Sequence, residues 1–401
     1  MEKMAHLFSF KTPGKIRLKP EWFSIFLILL LGFFLRIYRI GDYITFLGDE
    51  GRDALVVYNI LHLDPTLLGP TSSVGGFFLG PIYYYFMAPF LWLFNYNPVG
   101  PAIMVVIFGM LTIYLIYKIG VEFFNQKAAL AAAFLYAISP VVITYSRSSW
   151  NPNLMPFFTI SALYALYKAV SKNNFLLFIL SGILLGISMQ LHYLATFVGV
   201  IVFFYVLFSD FRMNVSYFVF LIKRYLLIFF GFILSFSPFL LFEVRHGFLN
   251  TQNIIKFIFT SEDTGAGQIS LNVWYVFQRL FGGLIIHLPE PKDFGKFDPN
   301  IVQIWINAGV FLGLFSVGFF LVYFFKNKDP QIFRRNLLLF LWGLVGIGLF
   351  AFYKKPIYDY YLGFLFPLPF LLTGYFFSGV IDKYKKYGIG LVAGVLIILF
   401  Y

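Results

Sequence analysis

The sequence has no cysteine, and only 12% of its residues carry charge. Without cysteine there is no disulfide framework, no thiolate nucleophile and no Cys-ligated zinc. A soluble domain carries about twice that charged fraction. Set against a hydrophobic content of 60%, this scarcity excludes a soluble globular enzyme, a disordered chain and a nucleic-acid binder. Histidine is also sparse, with five residues in 401.

What is present is long apolar sequence, rich in Phe (56 residues) and Tyr (27 residues). A helix that crosses a bilayer needs about 20 apolar residues. Eleven stretches meet or approach this: 22–40, 98–117, 128–146, 154–170, 174–191, 193–208, 225–242, 301–325, 336–352, 360–376 and 387–401. The expected fold is an all-α polytopic membrane protein of about eleven transmembrane helices. The first stretch lacks a small-residue cleavage site and is no removable signal. The last reaches the end of the sequence without a polar tail, which points to a truncated chain.

The net charge of +12 resolves into a topology signal. Lys3, Lys11, Lys15, Arg17 and Lys19 precede the first stretch, so the N-terminus is expected in the cytoplasm. Alternation from there places 19 of the 30 basic residues on the inner side. Two apolar segments, 81–95 and 270–288, must then lie in or dip into the outer interface. The outer face carries two long loops, 41–97 and 243–300, and no separate soluble domain is expected within 1–401. Span centres are nearly free of charge, where transporters and pumps place their ionisable groups. Arg36 and Arg39 fall at the outer end of the first span, where they are expected to snorkel.

The outer loop after the first span holds Asp42, Asp49, Glu50, Arg52, Asp53 and Asp64. Residues 49–62 read as a short amphipathic helix. Asp49 falls at its start, where free N–H groups favour a carboxylate. Arg52 lies three residues on and therefore on the same face. Helix capping by Asp49 and Glu50 is one reading. The other is chemistry: a carboxylate that accepts a proton beside a guanidinium that grips phosphate in a forked geometry. Nearby features carry their own plain readings. Arg147 and Trp150 make an interface anchor pair, Asn151 before Pro152 makes a helix N-cap, and His192 is a satisfied interfacial residue. Glu243, Arg245 and His246 make a solvated local ion pair or a donor-binding group.

The stretch GDYITFLGDEGRDAL resembles the glycosyltransferase-C superfamily, in the branch of protein O-mannosyltransferases and bacterial lipid A aminoarabinose transferases. The likeness rests on Asp49-Glu50-Gly51-Arg52 in the first outer loop and on Gly80-Pro81-Ile82-Tyr83-Tyr84-Tyr85. It extends through Arg147, Asn151-Pro152-Asn153 and Phe157-Phe158 to Phe242–Phe248 and Tyr360-Tyr361-Leu362. Two positions depart from the family pattern. Asn151 stands where the second loop has a carboxylate, and Leu79 stands where a phosphate-binding lysine is frequent.

The resemblance implies a single membrane-embedded transferase domain. It would move a sugar from a polyprenyl phosphate to a lipid, glycan or protein acceptor at the outer face of a bacterial or archaeal membrane. Asp49 would be the general base, with Glu50 orienting Arg52 or the acceptor. Arg52, Arg245, Lys354 and Lys355 would meet the donor phosphate. Tyr83, Tyr84, Arg147 and Asn151 would form the acceptor or second-loop side. The expected partners are membrane lipid and a lipid-linked sugar, with no nucleic acid. No metal is required, since one carboxylate pair without a histidine cluster makes a poor site, although metal dependence stays open. The competing readings are a lipid-linked oligosaccharide flippase and an oligosaccharide polymerase or ligase.

Overall fold

The computed structural model describes residues 20–72, 76–210, 215–260, 269–286, 298–353 and 356–400. Lys354 and Lys355 lie outside these residues. The chain runs through α1 (Pro20–Ile37), α2 (Ile40–Tyr43), α3 (Gly48–Leu61), α4 (Ile82–Leu93), α5 (Val99–Phe123) and α6 (Gln126–Ile138). It continues through α7 (Pro140–Tyr145), α8 (Met155–Lys172), α9 (Phe175–Leu191), α10 (Thr196–Phe208), α11 (Val215–Arg245) and α12 (Leu249–Thr260). It ends with α13 (Ile269–Phe277), α14 (Pro299–Lys326), α15 (Pro330–Gly348), α16 (Pro367–Tyr384) and α17 (Lys386–Phe400). Outside helices, the described residues hold one isolated antiparallel bridge, Thr71 to Phe78.

The all-helical membrane architecture matches the expectation, but the span lengths are uneven. Among the described residues, five helical stretches are long and apolar enough to cross a membrane: 99–123, 151–172, 215–245, 300–326 and 330–352. A sixth is a pair, 359–365 with 367–384, bent by 59°. The other expected spans fall on shorter apolar helices, so the count of eleven full-length crossings is not reproduced. The stretch 128–146 is broken into α6 and α7 because Pro140 has no N–H and Ser139 caps the new helix by accepting from Val142 N. Helix α4 has 12 residues, about 18 Å at 1.5 Å per residue, which is too short to cross.

Burial separates core from periphery. Helix α8 has 72% of its apolar window buried, whereas α11 has 17%. Helix α11 instead offers Phe229, Phe230 and Leu234 outward, as a lipid-facing helix does. It packs on α9 through small residues. A Cβ at Gly182 would sit 2.0 Å from Ile228 O, and one at Gly231 would sit 2.0 Å from Ile179 O. The two backbones touch there, which only glycine permits.

Arg36 corrects its expectation. It does not snorkel but is fully buried. Its Nη1 donates to Gly32 O at 3.0 Å and to Ala137 O at 2.9 Å, fastening α1 to α6. A guanidinium withdrawn from water needs such acceptors, and the C-terminal carbonyls of α6 supply them. Arg39 remains exposed and pairs with Asp42 at 2.7 Å.

These packing choices gather one end of the bundle into a shared wall. Helices α3 and α4, the turn before α8, the α9–α10 junction and the loop before α16 all meet there. Residues 70–72 and Leu79 close the wall. Gly69 N donates to Leu79 O, and Phe78 N donates to Asn250 Oδ1 of α12. A Cβ at Gly80 would strike Gln190 of α9 at 2.2 Å.

Candidate active site

The site grows from the first turn of α3. Glu50 accepts from Leu47 N at 3.1 Å and from Thr45 Oγ1 at 3.0 Å. This carboxylate is 8% exposed and shapes the helix entry, so the capping reading holds for Glu50. Asp49 points elsewhere. Its side chain is 54% exposed and accepts from Arg52 Nη1 at 3.0 Å, as the three-residue spacing requires.

Arg52 has a second partner. Its Nε and Nη2 donate to Asp53 Oδ1 at 3.0 and 2.8 Å. Tyr84 OH, from α4, donates to the same oxygen at 3.2 Å. Asp53 is fully buried, and burial pushes its carboxyl up to about 6. Asp49 pushes in the same direction, while Arg52 and Tyr84 pull it down. Two carboxylates therefore hold one guanidinium, one from the open side and one from within.

Asp49 and Arg52 form part of the wall of a cavity of about 120 Å³. The rest of the wall is Pro70, Thr71, Ser72, Leu79, Trp150, Asn151, Pro152, His192, Tyr193 and Tyr360. Its aromatic side is a cluster of four rings: the Trp150 and Tyr360 ring centroids lie 4.4 Å apart, and His192 and Tyr193 stack at 4.5 Å. His192 Nδ1 accepts from Leu194 N at 3.3 Å. Burial drives its imidazole down to about 3, so the ring is neutral at physiological pH. A single-residue polar reading of His192 missed this company, because five elements distant in sequence assemble it.

The other sequence-designated residues divide. Tyr84 supports Asp53, while Tyr83 OH hydrogen-bonds Ser149 Oγ at 2.7 Å, tying α4 to the second-loop motif. Asn151 lines the cavity but is not an N-cap. Its Nδ2 donates to Leu191 O at 2.6 Å, joining this turn to the end of α9. Arg147 lies over the Tyr43 ring at 4.3 Å and does not line the cavity, in keeping with an anchor. Arg245 is exposed at the end of α11 and does not line the cavity. Glu243 is neither a solvated ion-pair partner nor a donor contact. It is buried and caps α12 by accepting from Asn250 N at 3.0 Å and Thr251 N at 2.8 Å.

The structure adds a cation that the sequence reading left unassigned. Arg279 sits in a π-helical turn over Gln278–Gly283. Its Nε donates to Asp359 Oδ1 at 2.7 Å, and its Nη2 to Oδ2. Asp359 immediately precedes Tyr360 of the cavity wall. On the other side, Phe277 and Phe281 of the same segment line an apolar cleft of about 550 Å³ bounded by α14, α15 and α16. The signal in the sequence is an arginine inside the apolar run 270–288.

By fold this is a polytopic helical membrane protein, and its fold is shared with the solved structures of ArnT and AglB. Residues 79–242 match the model of the dolichyl-phosphate-mannose-protein mannosyltransferase family. ArnT from Cupriavidus metallidurans, solved bound to undecaprenyl phosphate, superposes with a TM-score of 0.60 at 13% identity, over 93% of this chain and 63% of that one. The archaeal oligosaccharyltransferase AglB from Archaeoglobus fulgidus, in complex with an inhibitory peptide and a dolichol-phosphate, gives 0.57 at 16% identity. That match covers 93% of this chain and 52% of AglB, so the chain spans about half the length of that relative. No curated protein sequence matches the chain.

Proposed function

We propose that the protein is an integral membrane glycosyltransferase. In this reading it transfers a sugar from a polyprenyl-phosphate donor to a hydroxyl-bearing acceptor, at the non-cytoplasmic face. The observation that carries the reading is the Asp49–Arg52 pair, 3.0 Å apart, on the wall of a cavity that also presents Trp150, Tyr193 and Tyr360. The match to the mannosyltransferase family and the fold shared with two proteins solved with lipid phosphates support it.

In the proposed step, Asp49 accepts the proton of the acceptor hydroxyl as that oxygen attacks the anomeric carbon. The bond from this carbon to the phosphate oxygen breaks, and the lipid phosphate leaves with the electron pair. A single displacement inverts the anomeric configuration. The phosphate is a good leaving group and calls for cationic stabilisation rather than protonation. Arg52 supplies it, and Arg279, paired with Asp359 next to Tyr360 of the wall, is the second cation we assign in place of the lysine that Leu79 displaces. Trp150 and Tyr360 offer faces for the sugar ring. The cleft beside Phe281 suits the hydrocarbon tail, since it is apolar and shares a segment with Arg279.

The test is Asp49→Asn in purified protein supplied with polyprenyl-phosphate sugars. Loss of transfer by a factor of about 10²–10⁴, with unchanged thermal melting, supports the reading. Transfer at the parental rate removes Asp49 as the base and the proposal with it.

A further inference from the structure

Of the two buried carboxylates of α3, Glu50 shapes the helix entry, and Asp53 is left idle by the proposed chemistry. It does not reach the cavity, yet both of its donors belong to the site: Arg52 directly and Tyr84 from the helix beneath. All three of these hydrogen bonds converge on Oδ1. Oδ2 is buried with no partner among the described residues. A carboxylate meant only to brace two helices would be satisfied at both oxygens. This one is held half-satisfied, out of water, against a guanidinium whose other edge faces the cavity.

We propose that Asp53 is the positioning residue of the site. Through Arg52 it divides one positive charge between the protein interior and the cavity. This keeps the grip on lipid phosphate loose enough for turnover and leaves Asp49 free to accept a proton. The inference rests on the proposed transfer reaction and assigns the control of its cation.

The physical argument is charge sharing. With Asp53 ionised, two carboxylates offset Arg52, and the cavity sees little net positive potential. With Asp53 neutral, the whole charge of Arg52 falls on Asp49 and on the bound phosphate. Lipid phosphate is then held more tightly, and Asp49, paired to a full cation, is a poorer base. The groups facing Asp53 are Arg52, Asp49 and Glu50 on its own helix and Tyr83 and Tyr84 on α4. Its carboxyl, raised to about 6 by burial, crosses between the two states in a mildly acidic range.

The experiment measures undecaprenyl-phosphate binding and transfer kinetics from pH 5 to 8, in lipid nanodiscs, for the parent, Asp53→Asn and Tyr84→Phe. The parent is expected to bind the lipid phosphate more tightly as pH falls through about 6, with kcat and KM falling together. Asp53→Asn should bind roughly tenfold more tightly at pH 7.5, with a lower kcat and no change across that range. Tyr84→Phe removes a donor to the ionised carboxylate, so its transition should move to higher pH, a partial step toward Asp53→Asn, which stays neutral throughout. A residue that merely braced α3 would lower kcat without moving the pH dependence.

Binding and pH dependence that are the same in all three proteins overturn the inference and leave the transferase reading standing. The expected binding pattern without any sugar transfer sinks the transferase reading and keeps the charge-sharing role. If Asp53→Asn does not fold, an unshifted transition in Tyr84→Phe is sufficient to reject the inference. Failure of the parent to bind undecaprenyl phosphate at any pH rejects both.

Discussion

Asp49 and Asp53 share one arginine, whereas Asp210 is shared by two. Arg224 donates to Asp210 Oδ2 at 2.8 Å, and Arg334 Nε donates to Oδ1 at 2.9 Å. The clusters are separated along α10, which starts beside the cavity at His192 and Tyr193, ends just before Asp210, and is about 20 Å long. Their compositions are inverted, and so are their surroundings. Around Asp210 the charges are enclosed: the Arg224 side chain is 3% exposed and stacks on Phe220 at 4.1 Å. Around Asp49 the outer carboxylate is 54% exposed and faces a cavity.

The difference separates a brace from a reactive group. Asp210 joins the turn after α10 to α11 and α15, and both of its oxygens are bonded. Such a group gains from being locked. The α3 cluster keeps one carboxylate open and one half-satisfied, which costs stability and retains chemical freedom. Proteins accept that cost where function needs it.

Removing the same charge from each cluster should break the likeness between them. Asp49→Asn should abolish transfer, as set out above, with little change in melting. Asp210→Asn should do the reverse. It leaves two arginines facing each other and is expected to lower stability by about 2 kcal/mol, with kcat nearly unchanged, read by thermal melting and kinetics. Equal effects on melting at both sites would erase the distinction.

A smaller effect is expected from Arg279→Ala. If this residue meets the lipid phosphate, KM for the donor rises roughly tenfold while the acceptor KM stays put, because one charge-assisted contact is lost. An unchanged donor KM would confine Arg279 to its pairing with Asp359.

Asp53 sharpens the comparison through stability. Its carboxyl is raised in the fold, from 3.8 to about 6, so the folded state holds its proton more firmly than the unfolded chain does. Stability from this group is fully present below about pH 4 and is lost as pH rises through about 6. Asp53→Asn should therefore melt a few degrees above the parent at pH 8, with the gain gone by pH 4. A bracing carboxylate would show a loss.

The smallest effect concerns metal. Asp49, Glu50 and Asp53 already accept hydrogen bonds from Arg52, Leu47, Thr45 and Tyr84. Chelation with EDTA is expected to change the transfer rate by less than about twofold, since the described residues bring no three carboxylates or histidines together as a metal site. A larger fall would show that a cation displaces Arg52 from one of them.

The amino-acid sequence determined the class of the molecule and the local geometry of its first motif. Apolar runs, charge placed at their ends and the spacing of Asp49 to Arg52 depend on neighbours within a few residues, and those relations survive in any fold that keeps the helices. Tertiary structure decided the rest. It alone turned Arg36 inward, made Asn151 a tie to Leu191, kept Arg245 out of the cavity wall and paired Arg279 with Asp359, next to Tyr360. Burial and partners 40 to 101 residues away in sequence set what these side chains do. A linear sequence carries no record of which helix faces water, lipid or another helix until all of them have packed.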